Sequence, residues 1–184
     1  MIISILGPPG SGKGTVAKEL SKKLRIPTIR TGELLRKEIA KQTPLGKRIH
    51  HAISKGNLAP GKLTFSLVKK HIDKVGKKGY ILDGLPRDQS DMKFLHHFLR
   101  KSKKKIDKVI FINASTKVCE QRIKKRLNSQ KREDDSQKAM HHRFKVYHKQ
   151  TMPVIREYKK RKLLCVINGN KSKKKVIKEA LSLF

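Results

Sequence analysis

One stretch near the N-terminus concentrates residues able to do chemistry. Gly7-Pro8-Pro9-Gly10-Ser11-Gly12-Lys13-Gly14-Thr15 follows the short apolar run Ile2–Leu6 and precedes Val16, Leu20 and Leu24 at helical spacing. Glycines at 10, 12 and 14 admit backbone angles and close approach that a Cβ forbids. Successive N–H groups then turn inward as an anion nest, with the positive end of a helix behind them. Lys13 adds a mobile point charge and Thr15 a hydroxyl able to face Mg2+. The pattern is that of a polyphosphate cradle lined by Gly10, Ser11, Gly12, Lys13, Gly14 and Thr15. In its general form a hydroxyl residue follows the lysine directly; here Gly14 stands there and Thr15 comes one later.

A second group of residues suits the other half of such chemistry. Tyr80-Ile81-Leu82 runs into Asp83-Gly84-Leu85-Pro86-Arg87. A carboxylate ending a strand beside a phosphate loop is placed to hold the water shell of Mg2+, a metal carried by phosphates, waters and one carboxylate. Arginine, with its planar fork, grips phosphate bidentately, and Arg87 after a strand-ending turn is the most sharply placed of them. Arg122 fits a solvated helix face nearly as well. Asp134-Asp135 sits where it would cap a helix.

These groups need positioning elements, and the chain alternates strand and helix. Strands are expected at Ile2–Leu6, Thr28–Arg30, Tyr80–Leu82, Lys108–Asn113 and Leu163–Ile167. Helices are expected from Lys13 to Leu24, from a Thr31 N-cap to Ala40, from Pro44 to Gly56, and from Pro60 to Gly76. Further ones run from Ser90 to Arg100, after Ser115, from Asp134 with a break at Pro153, and from Ser172 to Phe184. Short strands separated by helices predict one α/β domain with a parallel sheet covered on both faces.

Composition excludes other classes. The chain has 184 residues and carries 47 Lys+Arg against 14 Asp+Glu, a formal charge of +33, yet 36% of residues are hydrophobic and periodically placed. That supports a core and argues against long-chain disorder. No apolar run approaches the ~20 residues that span a bilayer, and the N-terminus lacks the basic region of a signal peptide. Two distant cysteines exclude a disulfide scaffold and a four-cysteine zinc site, and a reducing cytoplasm is the expected setting. Lysine runs such as 101–105 and 173–175 suit nucleic-acid phosphates or an acidic membrane surface. The lysines are spread along the chain and aromatics are few, which favours a basic surface with no dedicated partner.

Several segments occur in a telling order: Thr31-Gly32-Glu33-Leu34-Leu35-Arg36, Gly56-Asn57-Leu58-Ala59-Pro60, Asp83–Arg87, Arg122–Arg126, Arg132–Asp135 with Arg143, Thr151–Ile155 with Tyr158, and Gly169. With the Gly-Lys-Gly-Thr loop they resemble the adenylate kinase family over essentially the whole chain. The resemblance implies a P-loop NTPase-type, doubly wound five-stranded parallel sheet. It divides the chain into a core (1–29, 60–124, 136–184), an NMP-binding segment (30–59) and a short lid (125–135). It implies a soluble, cytoplasmic, monomeric phosphotransferase moving the γ-phosphoryl of MgATP to a nucleoside monophosphate, AMP by preference.

By the same resemblance Lys13, Asp83, Arg87, Arg126, Arg132 and Arg143 serve transfer, and Arg122, Arg126 and Gly169 join the phosphate loop in holding ATP. The acceptor falls to Thr31, Gly32, Arg36, Asn57, Leu58, Ala59, Gly84, Arg87, Asp91, Arg132 and Arg143, while Asp134 and Asp135 tether the lid. Departures from the family pattern are Asp91 where a base-reading Gln is usual, Gly61 where an acid is usual, Arg30 where a small residue is usual, and Leu127 and Lys131 for lid glycines. A UMP/CMP-type or broad-specificity relative, and a basic nucleotide-dependent nucleic-acid-binding protein, are the alternatives.

Overall fold

The computed structural model describes residues 1–75, 78–127 and 137–184. Five strands form one parallel sheet: β1 (Ile2–Leu6), β2 (Thr28–Arg30), β3 (Tyr80–Asp83), β4 (Lys108–Asn113) and β5 (Leu164–Asn168), in the order β2-β3-β1-β4-β5. β1 is central, with Ile5 opposite Asp83 on one side and Ile110 on the other. Its five residues are all buried because helices cover both faces. Side-chain alternation divides them: Ile2 and Leu6 join one apolar cluster, Ile3 and Ile5 the other.

Helices α1 (Lys13–Leu24) and α9 (Lys173–Leu181) close the Ile3/Ile5 face through Val16, Leu20, Val176 and Ala180. The opposite face is closed by α4 (Gly61–Lys74), α5 (Gln89–Lys101) and α8 (Met152–Lys160), through Val68, Leu95, Val154 and Tyr158. Between β2 and α4, α2 (Thr31–Ala40) and α3 (Pro44–Ser54) form a small separate core with Ala59 and the α4 residue Leu67, through Leu35 and Ile49. α6 (Thr116–Leu127) and α7 (Gln137–Val146) flank the lid region. The expected closure of α4 at Gly76 falls outside the described residues, as do the expected roles of Arg132, Asp134 and Asp135.

Local signals explain most boundaries. Thr43 caps α3, its hydroxyl accepting from the Gly46 N–H at 3.0 Å, and Pro44 sits in the first turn. One expectation is corrected: Thr31 does not cap α2. β2 passes into α2 without a loop, so the extended Arg30 takes the cap position and Thr31 enters the first turn fully buried. The expected break near Pro153 takes the form of a π-turn over Tyr147–Thr151, where the Met152 N–H reaches back to the Tyr147 carbonyl. The wider turn precedes the ring that could not have donated to a regular helix.

Candidate functional site

The phosphate loop, Asp83 and the turn to Arg87 all lie at the carboxyl ends of the central strands, where an open α/β sheet forms its crevice. Gly10 (φ 79°) and Gly12 (φ 96°) take left-handed angles that other residues resist. A β-carbon on Gly10 would stand 2.6 Å from the Cys119 carbonyl oxygen, so α6 packs directly under the loop. Arg122, expected at ATP, braces this contact: it donates to the Ser11 carbonyl at 3.2 Å and the Lys171 carbonyl at 3.1 Å. Ser11 keeps its hydroxyl buried in the protein, so its backbone is what the loop presents. Arg126 lies one turn beyond Arg122, half-buried.

Lys13 donates from Nζ to the Gly7 and Pro8 carbonyls, both at 2.8 Å. Burial pushes its pKa down to about 8; Asp83 pulls it upward, while Arg87 and Arg143 push it further down. The Gly-for-hydroxyl departure in the loop has a cause here. A β-carbon on Gly14 would stand 3.2 Å from Asp83 Oδ2, a tight approach, so the glycine gives the carboxylate its place beside the helix start.

The cations form a chain. The point where a β-carbon of Gly84 would sit lies 3.6 Å from Arg87 Nη2 and 4.0 Å from Lys13 Cε. The equivalent point on Gly32 lies 3.4 Å from Arg36 Nη1 and 3.6 Å from Arg87 Nη2. Lys13, Arg87 and Arg36 therefore follow one another along the crevice floor, with Arg143 close enough to depress both Lys13 and Arg87. Burial is the largest cause lowering Arg87. Like charges are gathered at a cost to the fold, the arrangement that a polyanion reverses.

Arg87 is held on three sides. Its Nε donates to the Gly84 carbonyl at 2.8 Å, its backbone N–H to Asp91 Oδ2 at 3.0 Å, and its carbonyl accepts from the Thr151 hydroxyl at 2.6 Å. Thr151, given earlier only as part of the Thr151–Ile155 segment, and Asp88, not singled out in the sequence, position Arg87. Asp88 caps α5 by accepting from the Asp91 N–H at 2.7 Å. The Asp88-x-x-Asp91 spacing ahead of Met92, Leu95 and Leu99 was the available signal.

Two departures from the family pattern meet at one contact. Asp91 is only 3% exposed, and a β-carbon on Gly61 would stand 3.1 Å from its Oδ1. An acid at 61 would face the carboxylate at 91, so a glycine at 61 suits an acid at 91. Burial, then Asp88, raises Asp91 to about 6. Arg30 pairs with Glu33 at 3.6 Å. On the acceptor side Asn57 Oδ1 lies 2.7 Å from His142 Nε2, and Gly56 rests on Ala139 and Arg143, tying the turn to α7. Leu58 is half-buried and Ala59 is core. Gly169 is a packing glycine: its N–H donates to the Asn113 carbonyl at 2.7 Å, and a β-carbon would meet Ala114 and Ile112 at 2.8 Å.

Fold and site together define a P-loop α/β protein whose nucleotide-phosphate cradle continues into a row of guanidinium groups. The family model for adenylate kinase matches residues 5–163. The chain is 36% identical over 211 aligned positions to an adenylate kinase of Thermosipho melanesiensis, covering 100% of this chain and 99% of that protein. It is 37% identical to adenylate kinase 1 of a Nostoc species (95% and 93% covered) and 39% identical to an adenylate kinase of Bifidobacterium longum (92% and 91%). The chain belongs to the adenylate kinase family and is a phosphotransferase of the nucleoside monophosphate kinase kind. Among the described residues no helix is long and apolar enough to cross a membrane.

Proposed function

We propose that the protein transfers the γ-phosphoryl of MgATP to AMP, giving two ADP. The observation that carries this reading is the unbroken run Lys13–Arg87–Arg36, which supplies positive charge from the phosphate loop to the floor of the α2 segment. Transfer breaks the bond between the γ-phosphorus and its bridging oxygen and forms one to an oxygen of the acceptor phosphate. That acceptor is largely deprotonated at neutral pH, so no general base is needed, and catalysis is positioning and charge neutralisation.

Lys13 and the loop N–H groups hold the donor phosphates. Arg36 and Arg87 hold the acceptor phosphate, and Arg126, Arg132 and Arg143 surround the moving group. Arg122 acts through the loop it braces. Thr31, buried with an unpartnered hydroxyl, supports AMP over pyrimidine acceptors, and Asp91 stands at the base-reading position. The residues present fit Mg2+ held mainly by phosphates and water: Asp83 and Thr15 adjoin the cradle, and the described residues contain no His/Cys/Asp/Glu group able to hold a metal alone. When bound, the ion neutralises charge on the β- and γ-phosphates. A short lid at 125–135 moves with the segment 30–59 to exclude water.

Initial rates with AMP, CMP, UMP, GMP and dTMP at equal concentration test the proposal. AMP is expected to be fastest; faster turnover of UMP or CMP moves the protein to the pyrimidine-type relatives, and no ADP from AMP ends the adenylate reading.

A further inference from the structure

The basic charge that runs through the sequence is not spread evenly over the fold. A groove of about 830 Å³ lies between α5, the loop leading to β4, and the end of α8, lined by Lys93, Arg100, Lys103, Lys104, Lys105 and Arg161 together with Phe94, His96 and His97. Among the described residues no acid lines it. Glu157 pairs with the lining Arg161 at 2.8 Å, and Asp107, which follows the lysine loop, accepts from the Ile2 N–H at 2.6 Å. The loop is fixed in shape. Its lysines follow the end of α5, where the Lys104 N–H donates to the Leu99 carbonyl at 2.8 Å, and it is pinned on its far side by buried Ile106.

The groove sits at the amino-terminal end of β4, and every strand of the sheet is parallel, so it lies at the opposite end of the molecule from the phosphate loop. The transfer reaction makes no use of it. Phe94 adds what charge alone lacks. It is 37% exposed, one of few large hydrophobic side chains at the surface, and its ring is stacked on Phe65 with centroids 6.1 Å apart. A half-exposed ring, backed by a second ring and set among cations, is a stacking platform for a base whose phosphates the lysines neutralise.

We infer that this groove binds single-stranded nucleic acid, its phosphate backbone on Lys93, Arg100, Lys104 and Lys105 and a base on Phe94. The groove's cations alone would also attract an anionic membrane; a base stacked on Phe94 is the contact that distinguishes a single strand. The sequence alone favoured a surface without a dedicated partner; the fold brings the lysine loop, the α5 cations and an aromatic to one place.

The test is fluorescence anisotropy of the full-length protein with a labelled oligouridylate of about a dozen nucleotides, across a salt series. Arg100→Gln/Lys104→Gln/Lys105→Gln should lower the slope of log K against log salt by about 2, from roughly 0.7 per lost phosphate contact. Phe94→Ala should weaken binding roughly tenfold, with little change in slope. The charge-matched control Lys173→Gln/Lys174→Gln/Lys175→Gln should change affinity less than about threefold. Kinase rate in each variant reports folding independently, and Lys104→Gln alone serves if the triple variant is unstable. Equal losses in the two triple variants overturn the proposal, as does a Phe94→Ala protein that binds oligouridylate unchanged. Binding to phosphatidylserine vesicles or inorganic polyphosphate, with none to the oligonucleotide, overturns it too.

Discussion

Lys13 offers a prediction in which the fold sets both sign and size. Its pKa of about 8 arises chiefly from desolvation, opposed by Asp83 and reinforced by Arg87 and Arg143. At that value the side chain is about nine-tenths protonated at pH 7 and about one-tenth at pH 9. Polyphosphate binding requires the ammonium, so MgATP affinity should fall about tenfold between those pH values. Binding should then take up about 0.1 proton at pH 7 and about 0.9 at pH 9. Calorimetric titration of MgATP in buffers of different ionisation enthalpy reads this uptake directly. Lys13→Arg keeps the charge at all these pH values and should abolish the uptake attributable to this site. The folded value lies below the unfolded one, so the unfolded chain binds more protons between pH 8 and about 10.4. Lys13→Met should therefore stabilise the free protein most at pH 7, with the gain shrinking as pH rises through that window. Proton uptake at pH 9 that is absent, or undiminished in Lys13→Arg, would refute the assignment of this cation to the phosphates.

Other consequences follow from the same geometry. Arg87→Ala should slow transfer by ~10³–10⁵ and weaken acceptor binding while leaving MgATP affinity close to native; equal damage to both substrates in steady-state kinetics would break the division into two phosphate sites. Asp91→Asn removes a buried carboxyl raised to about 6. The folded state of the parent holds that proton more tightly than the unfolded one, so the variant should gain relative stability as pH rises from about 4 to 6, by up to about 3 kcal/mol. Thermal unfolding at both ends of the window would show it, and a gain independent of pH would point to packing. Gly169→Ala forces a methyl into Ala114 and Ile112 and should cost about 1–3 kcal/mol in denaturant unfolding. His142→Ala frees Asn57 and should raise the acceptor KM more than the ATP KM; an unchanged KM would show that the tie to α7 does not position the turn.

Much of this protein was legible in the order of its residues because the signals are local. Short continuous apolar runs, apolar residues at helical spacing, caps such as Thr43 and Ser172, and a glycine loop in register with strand and helix act within a few neighbours. The α/β alternation, the parallel sheet and the phosphate cradle follow from them, whereas Arg36 and Arg143 were singled out only by the resemblance to the family. What a side chain meets across the chain was beyond that reach. The sheet order put Asp83 against Gly14 and explained a glycine where a hydroxyl is usual. The α4–α5 contact brought two separate departures, Gly61 and Asp91, against each other. Arg122 went to the carbonyls of Ser11 in the loop and of Lys171, and Thr31 moved inside α2 because β2 left no loop before it. The lysine run 101–105 and the α5 cations became a groove beside Phe94 closed by the distant Arg161. Distances between residues far apart in sequence depend on how helices pack over the sheet, and the free energy of that packing is a property of surfaces in contact, which no short stretch of sequence contains.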